Sequence, residues 1–506
     1  MTYKWIGVGL YMLALLAIGV VASRRMSSVR DYYAGNKRFG FLAAAFSARA
    51  TGESAWLLLG LTGMGAMLGV QAFWVVVGEV LGVAGAWLLM CRPFKRLTDE
   101  YDSLTIPDYL ESRFQDKTQR LRKVAATCLV VFVTIYVSAQ IDATGTAFES
   151  FLGIDYYAGA LIGFAVVMAY IVSGGFVAVV WSDIFQGTLM FLGLVTLPVV
   201  ALMSIGGWGE MMTALSSIDP YLTTWSGPGG WSGLRVLEII GLSLIGLGFL
   251  GSPQIFVRFL SLKSEKEVAP GAATALIWTL LADSGAVVTG MVGRAILAPA
   301  GSSAELLGNG GQNVLPLLVE HALPALLVGL FIAIVLSAIM STVDSLLVVA
   351  SSAAVRDWYQ QVKHPEMPDE ALVGLSRKVT FGLALASLGI ALTVAALVPG
   401  RTVFWFVIFG WSGIAATFCP TIILSLFWSR FTANGALAAM LAGFLGVPLF
   451  KFGATALPTV GPAFAALSEL PPAFVLSALV GVAVSLSHPP EHATREFDKK
   501  PELGGL

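Results

Sequence analysis

The sequence predicts an all-α integral membrane protein of about thirteen transmembrane helices, arranged as a five-plus-five inverted repeat with two broken helices. Three observations carry that prediction. The 506 residues are 57% hydrophobic and 12% charged, whereas a soluble globule carries about 25% charged residues. Apolar runs long enough to cross a bilayer recur along nearly the whole chain. Two of these runs are interrupted near their centres by residues that a lipid-facing helix does not hold.

A hydropathy window of about 19 residues places spans near 3–23, 40–68, 70–91, 124–151, 156–174, 176–206, 233–262, 268–298, 323–355, 374–398, 402–428, 433–452 and 471–488. Four units follow: an extra N-terminal helix with its loop (1–39), a first five-helix repeat (40–206), an external loop with the second repeat (207–428), and two C-terminal helices with a short tail (429–506). The stretch Trp5 to Ala22 is followed by no cleavage site and reads as a retained helix. Basic residues concentrate in alternate loops, from Arg24, Arg25 and Arg30 through Arg92, Lys95 and Arg122 to Arg356, Arg430 and Lys499. The positive-inside rule then predicts a multi-pass protein of the cell membrane, N-terminus outside and C-terminus cytoplasmic. Segment 92–123 is expected as a cytoplasmic amphipathic connector whose charges form a solvated face, and 207–232 as either a lid or an ordinary surface loop.

The net charge of −1 and the dispersed basic residues exclude a nucleic-acid partner. Cys91, Cys128 and Cys419 sit in or beside apolar runs, and the histidines lie in loops or the tail. Neither a disulfide framework, a zinc site nor an enzyme's nucleophile–base pair is expected.

The first interruption reads Ser47-Ala48-Arg49-Ala50-Thr51-Gly52-Glu53-Ser54. Charge at bilayer depth is tolerated where it lines a cavity or meets a partner, so a site for an ion or polar solute is the default reading. Arg49 and Glu53, four residues apart, can form a buried pair. The second reads Ile245-Gly246-Leu247-Gly248-Phe249-Leu250-Gly251-Ser252-Pro253, where three glycines and a proline free backbone groups from the helical ladder. One glycine cluster alone would signify close helix packing. Two breaks five spans apart fit solute and ion lying between half-helices at mid-membrane.

Later, Ser341, Thr342, Asp344 and Ser345 supply hard oxygen donors of the kind alkali cations require, with Ser341 and Ser345 on one helical face. Asp183 is a second acid in an apolar run; by spacing it is equally a helix cap or an ion ligand.

The segments Tyr32-Tyr33-Ala34-Gly35-Asn36-Lys37-Arg38-Phe39-Gly40, Trp56-Leu57-Leu58-Leu59-Gly60-Leu61, Leu104-Thr105-Ile106-Pro107-Asp108-Tyr109, Gly174 through Asp183, and Ala338-Ile339-Met340-Ser341-Thr342 resemble the sodium:solute symporter family, closest to its sodium/proline branch. The resemblance implies uptake of a small organic solute, an amino acid such as proline or a small carboxylate, driven by a sodium gradient. It implies a main sodium site from the carbonyls of Ala50, Glu53 and Ala338 and the hydroxyls of Ser341 and Thr342. A second sodium site would use Asp183, Ser341, Asp344 and Ser345, and the solute would lie near Thr51, Ser54, Trp56, Tyr136, Phe249 and Pro253. The chain departs from the branch at five positions. Gly52 stands where the branch has an aspartate, with the acid one residue later at Glu53. Ile245 and Phe249 replace a tryptophan and a tyrosine, and Asp344 occupies a place usually held by a small residue. A proton carried on Glu53, or a transporter-like nutrient sensor, are the alternative readings.

Overall fold

In the computed structural model, residues 2–24 and 29–487 are described. Arg25 and the expected cytoplasmic tail from His488 onward, with Lys499, lie outside the described residues. Among the described residues, eleven helical stretches are long and apolar enough to cross a membrane. One of them, Phe41–Glu100, has 60 residues, about 90 Å at 1.5 Å per residue, roughly three times the hydrocarbon thickness. It reverses at Gly69, whose φ of 61° suits only a residue without a side chain, so it holds both spans expected at 40–68 and 70–91.

The helices named below are α1 (Thr2–Ser23), α2 (Phe41–Ala55), α3 (Thr62–Leu68), α4 (Phe73–Ala84) and α5 (Cys91–Glu100). They continue as α6 (Ile106–Phe114), α7 (Arg120–Leu152), α8 (Tyr156–Ile205), α9 (Gly233–Ser243), α10 (Pro253–Leu260), α11 (Val268–Leu297), α12 (Ala325–Ser352) and α13 (Val403–Phe427). The expected spans 156–174 and 176–206 meet at their expected boundary: α8 is two helices joined across a kink at Gly175 (φ 55°, ψ −169°).

Both expected breaks are present. In the first, Ser54 (φ 54°, ψ −168°) separates α2 from the wider turns of Trp56–Leu61 that lead into α3. That backbone matches Gly175, yet it is held by a residue with a side chain, and such strain costs on the order of 1–3 kcal/mol and gathers at functional sites. In the second, α9 tightens into a 3-10 helix at Leu244–Phe249 and restarts as α10 with Pro253 in its first turn. Proline's missing N–H is an orphan there anyway, which is why the chain resumes a helix at that point. The tightened segment packs directly on α4: a Cβ at Gly246 would stand 2.0 Å from the Gly78 carbonyl oxygen. Only two bare backbones fit so closely.

One expectation is corrected in part. The charges of 92–123 divide: Arg92, Asp99, Glu100, Asp102, Lys117 and Arg120 are exposed as expected, whereas Lys95, Asp108, Arg113 and Arg122 are buried. Asp108 pairs with Arg122 and, at 3.1 Å, with Arg356, while Arg122 reaches Asp357 at 3.0 Å. These charges persist because they are matched across elements. The stretch 207–232, expected as a lid or a surface loop, carries a helix at Trp208–Ile218 and lies against the protein beneath it: the Trp74 indole donates to the Trp225 carbonyl at 3.0 Å, and the Leu222 backbone lies against Gly69. It clamps the turn between α3 and α4.

Candidate functional site

The two breaks face each other. A Cβ at Gly52 would lie 2.8 Å from Phe249 Cε1 and 3.3 Å from Ile255 Cδ1, so the absence of a side chain at 52 makes room for the phenyl ring of the second break. The two departures from the family pattern, at 52 and 249, are therefore one steric event. Phe249 stacks obliquely on Trp411 of α13 with ring centroids 5.1 Å apart, and Tyr136 of α7 meets the same indole edge-on at 6.4 Å. The Trp411 N–H donates to the Ile245 carbonyl at 3.1 Å, fastening the aromatic group to the unwound segment. Above it, Trp56 packs edge-on against Phe404.

The backbone freed at the first break has partners. The Ala55 N–H, first of the outer half-helix, donates to Gln140 Oε1 at 3.0 Å, and the Trp56 N–H reaches the Ser54 hydroxyl at 3.4 Å. The Tyr136 hydroxyl is buried beside the Ser54 hydroxyl. A ligand with a carboxylate or carbonyl oxygen finds here a positive half-helix end and a hydroxyl donor.

On the other side of α2, the carbonyls of its last turn point at α12. Ser341 Oγ donates to the Ala50 carbonyl at 2.9 Å and Thr342 Oγ1 to the Thr51 carbonyl at 3.0 Å; both also reach the Ala338 carbonyl at 3.2 Å. Four of the five predicted main-site residues, Ala50, Ala338, Ser341 and Thr342, thus converge. The fifth, Glu53, was expected through its backbone carbonyl, which takes no part in these four hydrogen bonds, whereas the Thr51 carbonyl does.

One turn further along α12, Asp183 and Ser345 are drawn together by a residue that the sequence reading passed over. Arg258 of α10 donates to Asp183 Oδ2 (3.0 Å), Thr51 Oγ1 (2.9 Å), Ser47 Oγ (2.9 Å) and Ser345 Oγ, and both partners of the Arg258–Asp183 pair are fully buried. Asp183 is no helix cap. It lies within α8, eight positions beyond the bend, and also accepts from the Ser47 hydroxyl. Asp344 is bonded by Ser182 and Ser345 at 3.4 Å. A guanidinium therefore stands among oxygens assigned to the possible second sodium site. It links both broken helices to α8 and α12.

The Arg49–Glu53 pair forms, and two further acids join it: Arg49 lies 3.4 Å from Glu79 of α4 and 3.9 Å from Asp283 of α11. All four are buried. Glu79, Arg258 and Asp283 each stand as isolated charges in apolar runs, the same signal that exposed Arg49 and Glu53, and counting intramembrane charges would have found them. Trp411 carried no such mark. Of the predicted solute contacts, Tyr136 and Phe249 meet around Trp411, Ser54 and Trp56 sit at the break above, and Thr51 is engaged by Arg258. Pro253 lies apart, lining a shallow groove with Thr105, Ile106 and Pro107.

Comparison with known proteins follows from this geometry. A family model described as the sodium:solute symporter family matches residues 32–443. A high-affinity proline transporter of Bacillus subtilis (strain 168) is 36% identical over 430 residues, covering 85% of this chain and 88% of that protein. An osmoregulated proline transporter of the same organism is 31% identical over 482 residues, covering 95% and 94%. Among solved structures, a sodium-coupled sialic acid symporter in a substrate-bound outward-open state matches with a TM-score of 0.78 at 19% identity, covering 97% of this chain and 99% of that one. That likeness shows a shared fold.

Proposed function

This chain belongs to the sodium:solute symporter family and moves a small solute together with sodium; from that premise we propose that the solute is proline or a closely related small amino acid, imported across the cell membrane. The proposal includes the orientation drawn from the basic loops, with the N-terminus outside and the C-terminus cytoplasmic. It also places sodium at Ala50, Glu53, Ala338, Ser341 and Thr342, with the Thr51 carbonyl as an added donor.

The observation that carries the reading is the pairing of α2 carbonyls with α12 hydroxyls beside an aromatic chamber. The carbonyls of Ala50 and Thr51 close a half-helix and form its negative end. A sodium ion placed there replaces two hydroxyl-to-carbonyl hydrogen bonds with metal–oxygen contacts and leaves the hydroxyls as ligands. It ties the first broken helix to α12, and that ordering lowers the cost of binding solute at the break. Solute and ion stabilise one another reciprocally, and coupling is that shared free energy.

For the solute, Tyr136, Phe249 and Trp411 offer apolar faces to a compact ring or short aliphatic chain. The Tyr136 hydroxyl and the positive end of the outer half-helix face its carboxylate, the Ala55 and Trp56 amides themselves being bonded to Gln140 and Ser54. Phe249 brings no hydroxyl of its own, so the donor comes from the opposite wall. The names of the curated relatives support proline as the first solute to test.

The experiment is uptake of radiolabelled proline into proteoliposomes under an inward sodium gradient, with unlabelled amino acids and small carboxylates as competitors. Saturable, sodium-dependent uptake competed by proline supports the reading. Uptake competed by another solute and indifferent to proline overturns the solute assignment.

A further inference from the structure

We propose that the carboxylates of Glu53, Glu79 and Asp283 form an additional sodium site, with Arg49 as its fixed counter-charge. The three acids come from three helices, α2, α4 and α11, and one oxygen from each lies within 4.8 Å of the others. Hard cations hold oxygen ligands at about 2.3–2.6 Å, which sets opposed ligands roughly 4.6–5.2 Å apart. The spacing is that of oxygens gathered around one small ion.

Independent of spacing, the cluster is under-satisfied. Glu53 Oε2 and both Asp283 oxygens are buried with no hydrogen-bond partner, and so are Arg49 Nε and Nη1. Arg49 does not close the gap: it pairs with Glu53, reaches Glu79 at 3.4 Å and stays 3.9 Å from Asp283. Its guanidinium is held over the rings of Phe249 and Trp278, at 4.8 and 5.5 Å, and so is not free to turn toward the orphaned oxygens. Three carboxylates against one guanidinium leave two uncompensated negative charges at bilayer depth, and buried charge persists there only with a partner. One bound sodium ion offsets one of these two charges and gives the orphaned oxygens a partner.

The neighbouring arginine centre makes the contrast. Arg258 meets Asp183, Ser47, Thr51 and Ser345 together, so the oxygens at that place already face a permanent cation. Sodium fits the Arg49 cluster better than a divalent ion because the adjacent guanidinium lowers the field of the three acids, and an ion carried across the membrane must also be released. The site shares only residue 53 with the sodium ligands named above, through a different atom: the backbone carbonyl there, the carboxylate here. An ion here ties α4 and α11 to the first broken helix, as the other ties α12. The inference needs no particular solute.

Equilibrium binding of 22Na+ to the purified full-length protein tests it. Glu79→Gln and Asp283→Asn are each expected to bind one sodium ion fewer than the unaltered protein, while Ser341→Ala with Thr342→Ala loses a different one and the two losses add. The sodium-induced infrared difference spectrum of the unaltered protein, which does not depend on any variant folding, is expected to show a perturbed carboxylate stretch that Glu79→Gln diminishes. Unchanged sodium stoichiometry in folded Glu79→Gln and Asp283→Asn, an infrared difference free of carboxylate bands, or occupancy by calcium in preference to sodium would each overturn the assignment.

Discussion

Two arginines lie buried in the same membrane-depth core, both on or beside the broken helices, and they are treated in opposite ways. Arg258 is surrounded by one acid and three hydroxyls, each placed to accept a hydrogen bond. Arg49 faces three acids and hydrogen-bonds poorly to them, with two of its nitrogens unpartnered. The first arrangement resembles a structural tie: every nitrogen of the guanidinium has a hydrogen-bond partner. The second resembles a socket, because its charge balance is incomplete until something else enters. Satisfied networks rigidify a core, and unsatisfied ones are held for a ligand.

The largest expected effect tests that contrast directly. Asp183→Asn leaves the Arg258 guanidinium buried without its counter-ion, and breaking a buried pair in this way costs about 3–5 kcal/mol. Glu79→Gln removes one of the excess negative charges around Arg49, and without sodium it is expected to cost less than about 1 kcal/mol or to stabilise the protein. Thermal unfolding of both variants in sodium-free buffer measures the difference. Equal losses would remove the distinction between tie and socket.

Next in size is the contact between the two breaks. Gly52→Ala places a methyl group 2.8 Å from the Phe249 ring, and overpacking of that kind costs about 1–3 kcal/mol. Phe249→Leu shortens the opposing side chain, so the double variant should recover much of the loss. A double-mutant cycle on stability and on the half-saturating solute concentration reads the coupling. Strict additivity would mean that the two positions do not oppose each other in the working protein.

Smaller again is the loss of one ligand at the α2–α12 junction. Thr342→Ser keeps the hydroxyl and should leave sodium dependence near that of the unaltered protein. Thr342→Ala removes it, and a hydrogen bond of about 0.5–1.5 kcal/mol corresponds to a roughly two- to tenfold rise in half-saturating sodium. Sodium titration of uptake at fixed solute separates the two variants; identical curves would remove Thr342 from the site.

The fold was legible because bilayer physics writes it coarsely: apolar runs, loop charges and helix-breaking residues located both breaks and the hydroxyl-bearing face of α12. The same rules divided 156–174 from 176–206 at the glycine pair Gly174-Gly175, where the kink lies. They also placed Asp108 and Arg122 on a solvated face, because the acid's partner Arg356 lies 248 residues further along the chain and no local pattern shows such pairing. At the site, Ser341 and Ser345 were found by helical spacing. Arg258, Glu79 and Asp283 were visible as isolated charges, but their grouping into two centres depends on which helices touch. Trp411 was hidden among thirteen tryptophans.

A test by pH belongs to the paired cluster at the face carrying the basic loops, and it sharpens the comparison from outside the membrane core. Burial alone would raise the Asp108 carboxyl, but the guanidiniums of Arg356 and Arg122 outweigh it and hold the group below the usual carboxylate range. A carboxylate whose folded pKa is depressed stabilises the protein fully above its unfolded value, about 3.9. That contribution is lost as pH falls through the lower folded value. Thermal midpoints are therefore expected to be flat in this respect from pH 7 to about 5 and to decline in stronger acid, and Asp108→Asn should lower the neutral plateau while flattening the acid limb. If Asp108→Asn keeps the acid limb of the unaltered protein, the decline originates in other carboxylates and the Arg122–Asp108–Arg356 cluster contributes only packing.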